Sequence, residues 1–391
     1  MSSDINKFAW IDALRGYAVL LVMMVHSSQP FYGDLNYGLT HSGLYGVQLF
    51  FIASSYTLFR SYEKRSSIDG RNTRLFFFIR RLFRIAPLYW LAIITYAIAG
   101  NMYDSMWLPM APFEFTKVLA NFILLNGVYL PALNYIPPGG WSIGDEMLFY
   151  ITLPILFSFI TNLRKAALLV FCAMIASLIL QVALYHYISG YTSYSWMAVR
   201  NWVLYLWFPN QFPVFCLGIL FFHILKKGTH SYKEWMLWAT IIGYFLLGFV
   251  KFDLSYPYFM AQPEYLYALI LFAFAFCISQ TKSKFMIYPI NKLGVVSFSV
   301  YLIHFFVVEA GFWLSLNIHG LILNDELHFA LIFAFTLCVS YLLARVTYKH
   351  VERRGIALGE LLIDKITKGQ LMRQNLKSRL DPEISNELTK S

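Results

Sequence analysis

An arginine and a histidine buried in an apolar run are the first groups along the chain that could do chemistry. Arg15 and His26 stand eleven residues apart in Trp10-Ile-Asp-Ala-Leu-Arg-Gly-Tyr-Ala-Val-Leu-Leu-Val-Met-Met-Val-His26. On a helix that spacing is three turns plus about 20°, so both side chains point to one face, about 16 Å apart along the axis. Asp12 is placed to pair with Arg15 at i, i+3. A snorkelling arginine and a core histidine are the plainer reading of the same residues. A second group is Trp141-Ser142-Ile-Gly-Asp145-Glu146-Met-Leu-Phe-Tyr150. Ser142, Glu146 and Tyr150 share a helical face, with Asp145 beside them. A carboxylate next to a histidine fixes its tautomer and raises its basicity. The same segment also reads as an interfacial helix start, with acids in the first turn and a tryptophan at headgroup level.

Two further groups follow. Tyr301 and His304 stand at i, i+3 and could line the same cavity, although a hydrogen-bonded core histidine has the same appearance. Arg80, Arg81 and Arg84 precede Pro87, and the last two arginines share a face. Guanidinium groups grip phosphates bidentately, and they also anchor cytoplasmic loops.

Membrane helices must position these groups. Of 391 residues, 58% are hydrophobic and only 13% charged, and mean hydropathy is +0.55. A soluble core cannot hide that much apolar surface, whereas a bilayer requires it. Disorder, collagen and disulfide scaffolds are excluded by the same composition. Cys172, Cys216, Cys277 and Cys338 are scattered singly, without metal or dithiol spacing. Asp12, Arg15 and His26 interrupt the first apolar stretch, which therefore does not read as a cleaved signal.

Ten apolar stretches reach spanning length, near 11–29, 44–60, 84–100, 143–160, 166–188, 201–225, 235–250, 263–280, 292–311 and 328–348. An eleventh, 115–131, is shorter. Of the 31 lysines and arginines, 26 fall in Lys7, 60–84, 164–165, 226–233, 282–292 and 349–390. Ten spans with both termini cytoplasmic place all those clusters on one side; an eleventh span at 115–131 would split them. The expectation is an all-α polytopic membrane protein of about ten transmembrane helices, with 115–131 re-entrant or interfacial. Residues 1–350 form the integral-membrane domain and 351–391 a polar cytoplasmic tail. The net charge of +10 is then a topology signal with an affinity for anionic headgroups, not a nucleic-acid footprint. Loop aromatics such as Phe31, Tyr37, Trp107, Tyr191, Trp196 and Tyr258 read as a membrane belt that could also stack on sugars.

Taken in order, the motifs resemble those of the membrane-bound acyltransferase 3 family, in its single-domain O-acetyltransferase form. They are Asp12-Ala-Leu-Arg15-Gly16 with His26, and Gly46-Val-Gln-Leu-Phe50-Phe51 with Ser54. Arg80, Arg81, Arg84 and Pro87 follow, then Trp141-Ser142 with Glu146, Phe149 and Tyr150, and last Ser297, Tyr301 and His304. Ser55 stands where the family usually has glycine, and Glu352 precedes Arg353 and Arg354 in place of a basic residue and proline. The resemblance implies ten spans in the cytoplasmic (inner) membrane. It also implies transfer of an acyl group, commonly acetyl from coenzyme A, to hydroxyls of envelope or exported glycans.

On that reading His26 is the general base, oriented by Glu146 or Asp145, with an acyl-histidine as the chemical alternative. Arg15, Arg81, Arg84, Tyr301 and His304 handle the donor, and Asp12, Trp141, Ser142 and Tyr150 support them. Acetyl-CoA is a co-substrate, and neither a bound cofactor nor a metal is expected. The partners are the acyl-CoA donor, a glycan or glycolipid acceptor and the lipid bilayer, with no nucleic acid. A proton-coupled transporter or flippase of a glycan or lipid would use the same residue types, and a scaffold for envelope assembly is a third reading.

Overall fold

In hydrocarbon every backbone N–H and C=O must find a partner within the protein, which makes a long apolar run a helix. The computed structural model describes residues 8–29, 40–102, 113–189, 204–228, 231–250, 263–316 and 325–388. The loop aromatics singled out above lie outside these residues. The long helices are α1 (Ala9–Ser28), α2 (Gly46–Asp69) and α3 (Thr73–Met102), followed by the short α4 (Phe115–Phe122). Then come α5 (Gly140–Phe159), α6 (Leu163–Ser189), α7 (Phe208–Lys227), α8 (Glu234–Leu247) and α9 (Pro263–Gln280). Two helical turns, Lys284–Ile287 and Ile290–Val295, lead into α10 (Ser297–Leu316), α11 (Asp325–Thr347) and α12 (Arg353–Leu388).

No strand occurs among the described residues. Among the described residues eight helical stretches are long and apolar enough to cross a membrane, and one of them, 42–100, holds both α2 and α3. They break at Gly70, whose φ of +54° glycine adopts without strain. The apolar α8, 14 residues long, fills the remaining expected position. The chain is an all-α polytopic membrane protein.

The shortest apolar stretch behaves differently. With 8 residues, α4 reaches only about 12 Å, far short of a bilayer core of about 30 Å. The irregular chain behind it has its polar groups met by side chains. Asn121 Nδ2 donates to the carbonyls of Lys117 and Ala132, and its Oδ1 accepts from Tyr89. Asn126 Nδ2 donates to the Gly140 carbonyl at 2.9 Å and Trp90 Nε1 to that of Phe122 at 2.7 Å. Tyr89 and Trp90 lie midway along α3, so this segment rests against the flank of the bundle without crossing it. Non-helical backbone survives at such a position only when it is satisfied in this way.

Two helices form the centre. α1 packs against α2, α9, α10, α11 and the 290–295 turn, while α2 packs against α1, α3, α5, α7 and α9. Ala13, Leu14, Ala18, Val19 and Met23 are fully buried along α1. Where backbones touch, glycine is required: a Cβ on Gly294 would lie 1.6 Å from the Asp12 carbonyl oxygen. One on Gly16 would lie 2.3 Å from that of Ile290. The polar tail is not detached. α12 lies along the first half of α3, with Gly355 and Gly359 against Phe83, Glu360 on Arg80 and Gln370 on Asn72. A π-turn, Tyr348–Glu352, joins it to α11, and its buried Glu352 accepts a hydrogen bond from Ser299.

Gly294→Ala should destabilise the protein by about 3 kcal/mol or more through overpacking against rigid backbone. Gly369→Ala, with open space around it, should leave stability unchanged or slightly raised. The fraction of detergent-extracted protein that stays monodisperse after a heat step measures both. For orientation, Asn134→Cys, Ser67→Cys and Lys282→Cys each place a thiol at an exposed position once the native cysteines are removed. With both termini cytoplasmic, an impermeant maleimide should label position 134 in intact cells and the other two only after permeabilisation; the reverse pattern would invert the topology.

Candidate functional site

One face of α2 carries Val47, Phe50, Phe51, Ser54, Thr57 and Leu58, a stripe at helical spacing in which two hydroxyls interrupt apolar residues. That stripe forms a wall of a cleft. Its other walls are Arg15 from α1, Arg81, Arg84 and Ile85 from α3, Ser142, Ile143, Glu146 and Tyr150 from α5, and Ser297, Phe298 and Tyr301 from α10. Groups scattered over nearly 290 residues of sequence thus converge on one space.

The cleft is electropositive. Arg15 Nη1 lies 3.2 Å from Asp12 Oδ1, and its Nη2 donates to Thr57 Oγ1 at 3.3 Å. Glu146 Oε1 accepts from Ser54 Oγ. Among the described residues Arg81 and Arg84 make neither an ion pair nor a hydrogen bond, and Arg81 has Phe77 at 5.9 Å. Three guanidinium groups and one carboxylate, Glu146, therefore line the cleft, with Asp12 behind Arg15 and Glu352 near Arg84. Arg80 points elsewhere: its Nη1 lies 2.6 Å from Asp69 and its Nε 3.1 Å from Glu360, which makes it a strut between α2, α3 and α12.

Above this charge lies a histidine pair. His26 Nδ1 and His304 Nε2 are 3.0 Å apart, and His304 Nδ1 lies 2.7 Å from the Tyr301 carbonyl oxygen. The Phe305 ring packs on both imidazoles, with centroids at 4.4 and 4.1 Å. Tyr301 connects the pair to the cleft. Its hydroxyl accepts from Ser142 Oγ at 2.9 Å and donates to the Gly139 carbonyl at 3.0 Å.

The sequence placed several of these residues differently. Neither carboxylate of α5 reaches His26. Glu146 is held by Ser54 among the arginines because α5 starts beside Tyr301 and runs away from the histidines, so the fourth residue after Ser142 lies a turn deeper. Asp145 is fully buried on the neighbouring face of α5, and neither of its oxygens has a hydrogen-bond partner among the described residues. His304, grouped with the donor arginines on sequence, stands against His26. Trp141 packs edge-on against Phe51 and contacts Tyr205, outside the cleft. Arg15, Arg81, Arg84, Ser142, Glu146, Tyr150 and Tyr301 do share one space, with Asp12 bonded to Arg15 behind it. Ser54, Thr57 and Phe305 received no role from sequence, although the hydroxyls in the α2 stripe were a signal for the first two.

Comparison with known proteins follows the same lines. The chain is 26% identical to the acyltransferase MdmB of Streptomyces mycarofaciens over 331 residues, 80% of this chain and 81% of that protein. It is 24% identical over 364 residues to BcsY of Komagataeibacter xylinus, named as a candidate membrane-bound transacylase, across 90% of this chain and 83% of that one. No solved structure matches it. The acyltransferase domain of the acyltransferase 3 family matches residues 8–345, which takes in every wall of the cleft and both histidines. The chain belongs to this family and is a membrane acyltransferase.

Proposed function

We propose that the protein moves an acetyl group from acetyl-CoA, supplied on the cytoplasmic side of the inner membrane, to a hydroxyl of an envelope or exported glycan at the outer face. The observation that carries this reading is the charge of the cleft: Arg81 and Arg84 line it with no ion pair among the described residues, and Glu146 is the one carboxylate among its lining residues. A half-buried cation without an ion pair is costly in an apolar setting, and a polyanionic ligand lowers that cost. The phosphates of coenzyme A supply such charge, and guanidinium forks bind them bidentately. The extended thioester arm then runs along α1, from the level of Arg15 toward His26 about 16 Å away.

An alcohol attacks a thioester poorly until a base takes its proton during the attack. In this reading the acceptor oxygen bonds to the carbonyl carbon as its proton passes to His26. The C–S bond breaks, and the proton leaves His26 for the coenzyme A thiolate. Arg15, Arg81 and Arg84 hold the donor, Thr57 and Asp12 keep Arg15 in place, and Ser54 does the same for Glu146.

Purified protein in nanodiscs should release free thiol from acetyl-CoA in the presence of the glycan acceptor. His26→Ala should lower that release by about 10²–10⁴-fold with normal insertion, the range associated with loss of a general base. Turnover retained at the parent level would overturn the assignment. Arg81→Lys and Arg84→Lys keep the charge but lose the planar fork. Each should raise the acetyl-CoA KM by about tenfold, or about 1.4 kcal/mol, and leave the acceptor KM unchanged. A shift confined to the acceptor would contradict the donor site.

A further inference from the structure

We infer that His304 is a positioning residue that fixes His26 in the tautomer whose Nε2 carries the lone pair, with the Tyr301 carbonyl as the fixed end of the relay. The inference rests on the acyl-transfer reading of His26 and adds a role that the sequence motifs did not assign. It follows from what each atom can donate. A carbonyl oxygen only accepts, so the 2.7 Å contact with Tyr301 requires the proton of a neutral His304 on Nδ1. Its Nε2 is then an acceptor. His26 also donates to the Val22 carbonyl one turn earlier on α1, and with its Nδ1 proton serving both that carbonyl and the 3.0 Å contact to His304, the lone pair of a neutral His26 is left on Nε2.

The surroundings hold this arrangement in place. His304 is fully buried, and Tyr301, one turn earlier on α10, is fixed at its other end by Ser142 and Gly139. Phe305 clamps both rings. His26 is held on α1, whose register against the start of α10 is set by the glycine contacts at Gly16 and Gly294. When Nε2 of His26 takes the proton of the acceptor hydroxyl, the imidazolium still donates from Nδ1, and the lone pair on His304 Nε2 meets its charge. This is the work an aspartate does behind the histidine of a serine hydrolase. A second imidazole performs it here without a net negative charge in an apolar setting. Proton transfer at His26 accompanies formation of the acceptor O–C bond, and the same proton goes to the thiolate as the C–S bond breaks.

Two substitutions and one spectrum test the assignment. His304→Gln places an amide oxygen where Nε2 stood, while His304→Phe keeps a ring and offers no acceptor. The Phe variant should lose about 10²–10³-fold in kcat with little change in acetyl-CoA KM, whereas the Gln variant should recover to within about tenfold of the parent. Nitrogen-15 spectra of histidine-labelled parent protein give a readout independent of either variant's folding. The His26 signals are identified by their loss in His26→Ala, and Nδ1 should carry the proton. A proton on Nε2 instead, equal kcat losses in folded Gln and Phe variants, or a rise in acetyl-CoA KM in place of a kcat loss would each overturn the role. Thiol release by the parent keeps the two readings apart. Its absence would overturn transfer from acetyl-CoA, while the spectrum would still decide the tautomer.

Discussion

The register of α1 against α10 rests on backbone packed against backbone. On the 290–295 turn that leads into α10, Gly294 meets the Asp12 carbonyl, and Gly16 of α1 meets the carbonyl and Cγ2 of Ile290. Such contacts permit close approach and tolerate little sliding, which is how small residues are used between membrane helices. Everything chemical on α1 inherits that register. Arg15 is brought to the cleft wall, and His26, eleven residues on, meets His304. A one-residue slip would turn both away by about 100°. The two glycines do no chemistry, yet they decide where the chemistry happens.

A second constraint is electrostatic. Cations within an apolar bundle must pair or face a polar space, and the three arginines of the cleft do so unequally. Arg15 leans on Asp12 and Thr57, while Arg81 and Arg84 line the cleft with no ion pair among the described residues, Glu146 and Glu352 acting on them from farther off. Arg80 shows the alternative outcome one residue away, where Asp69 and Glu360 absorb its charge and its role is to hold helices together. The contrast separates an arginine that braces the fold from those that line the cleft. Position in the sequence alone does not.

The helices were legible because a bilayer imposes length and hydropathy on each of them. α9 spans the residues 263–280 expected for it, and several other boundaries moved by only a few residues. α10 begins at Ser297 rather than near 292 because the 290–295 turn is spent packing on α1. α3 starts at Thr73, well before the apolar stretch, because its basic first turns are covered by α12 and not by lipid. The residues of the cleft were legible as types, since ionisable groups inside spans are costly and few. Their pairing was not. Helical periodicity places Arg15 and His26 on one face and Ser142 and Glu146 on another, but it says nothing about which depth of α5 meets which depth of α1. That depth depends on the chain from 123 to 139, whose irregular backbone sets where α5 begins. A contact between residues 26 and 304 has no local signature at all.

The tail completes the same argument. By composition residues 351–391 look like a solvated appendage, yet α12 lies against the segment of α3 that carries Arg80, Arg81 and Arg84. Gly355 and Gly359 let its backbone sit on Phe83, one residue before Arg84, so a side chain at either position would push the arginine-bearing turn aside. Glu360 fastens the outward-facing Arg80 while its neighbours face inward. Glu352, bonded to Ser299 beside the cleft wall, ties the start of α12 to the start of α10. The cleft arginines are therefore held between the bundle and the tail, and the polar end of the chain is part of the structure that aims them.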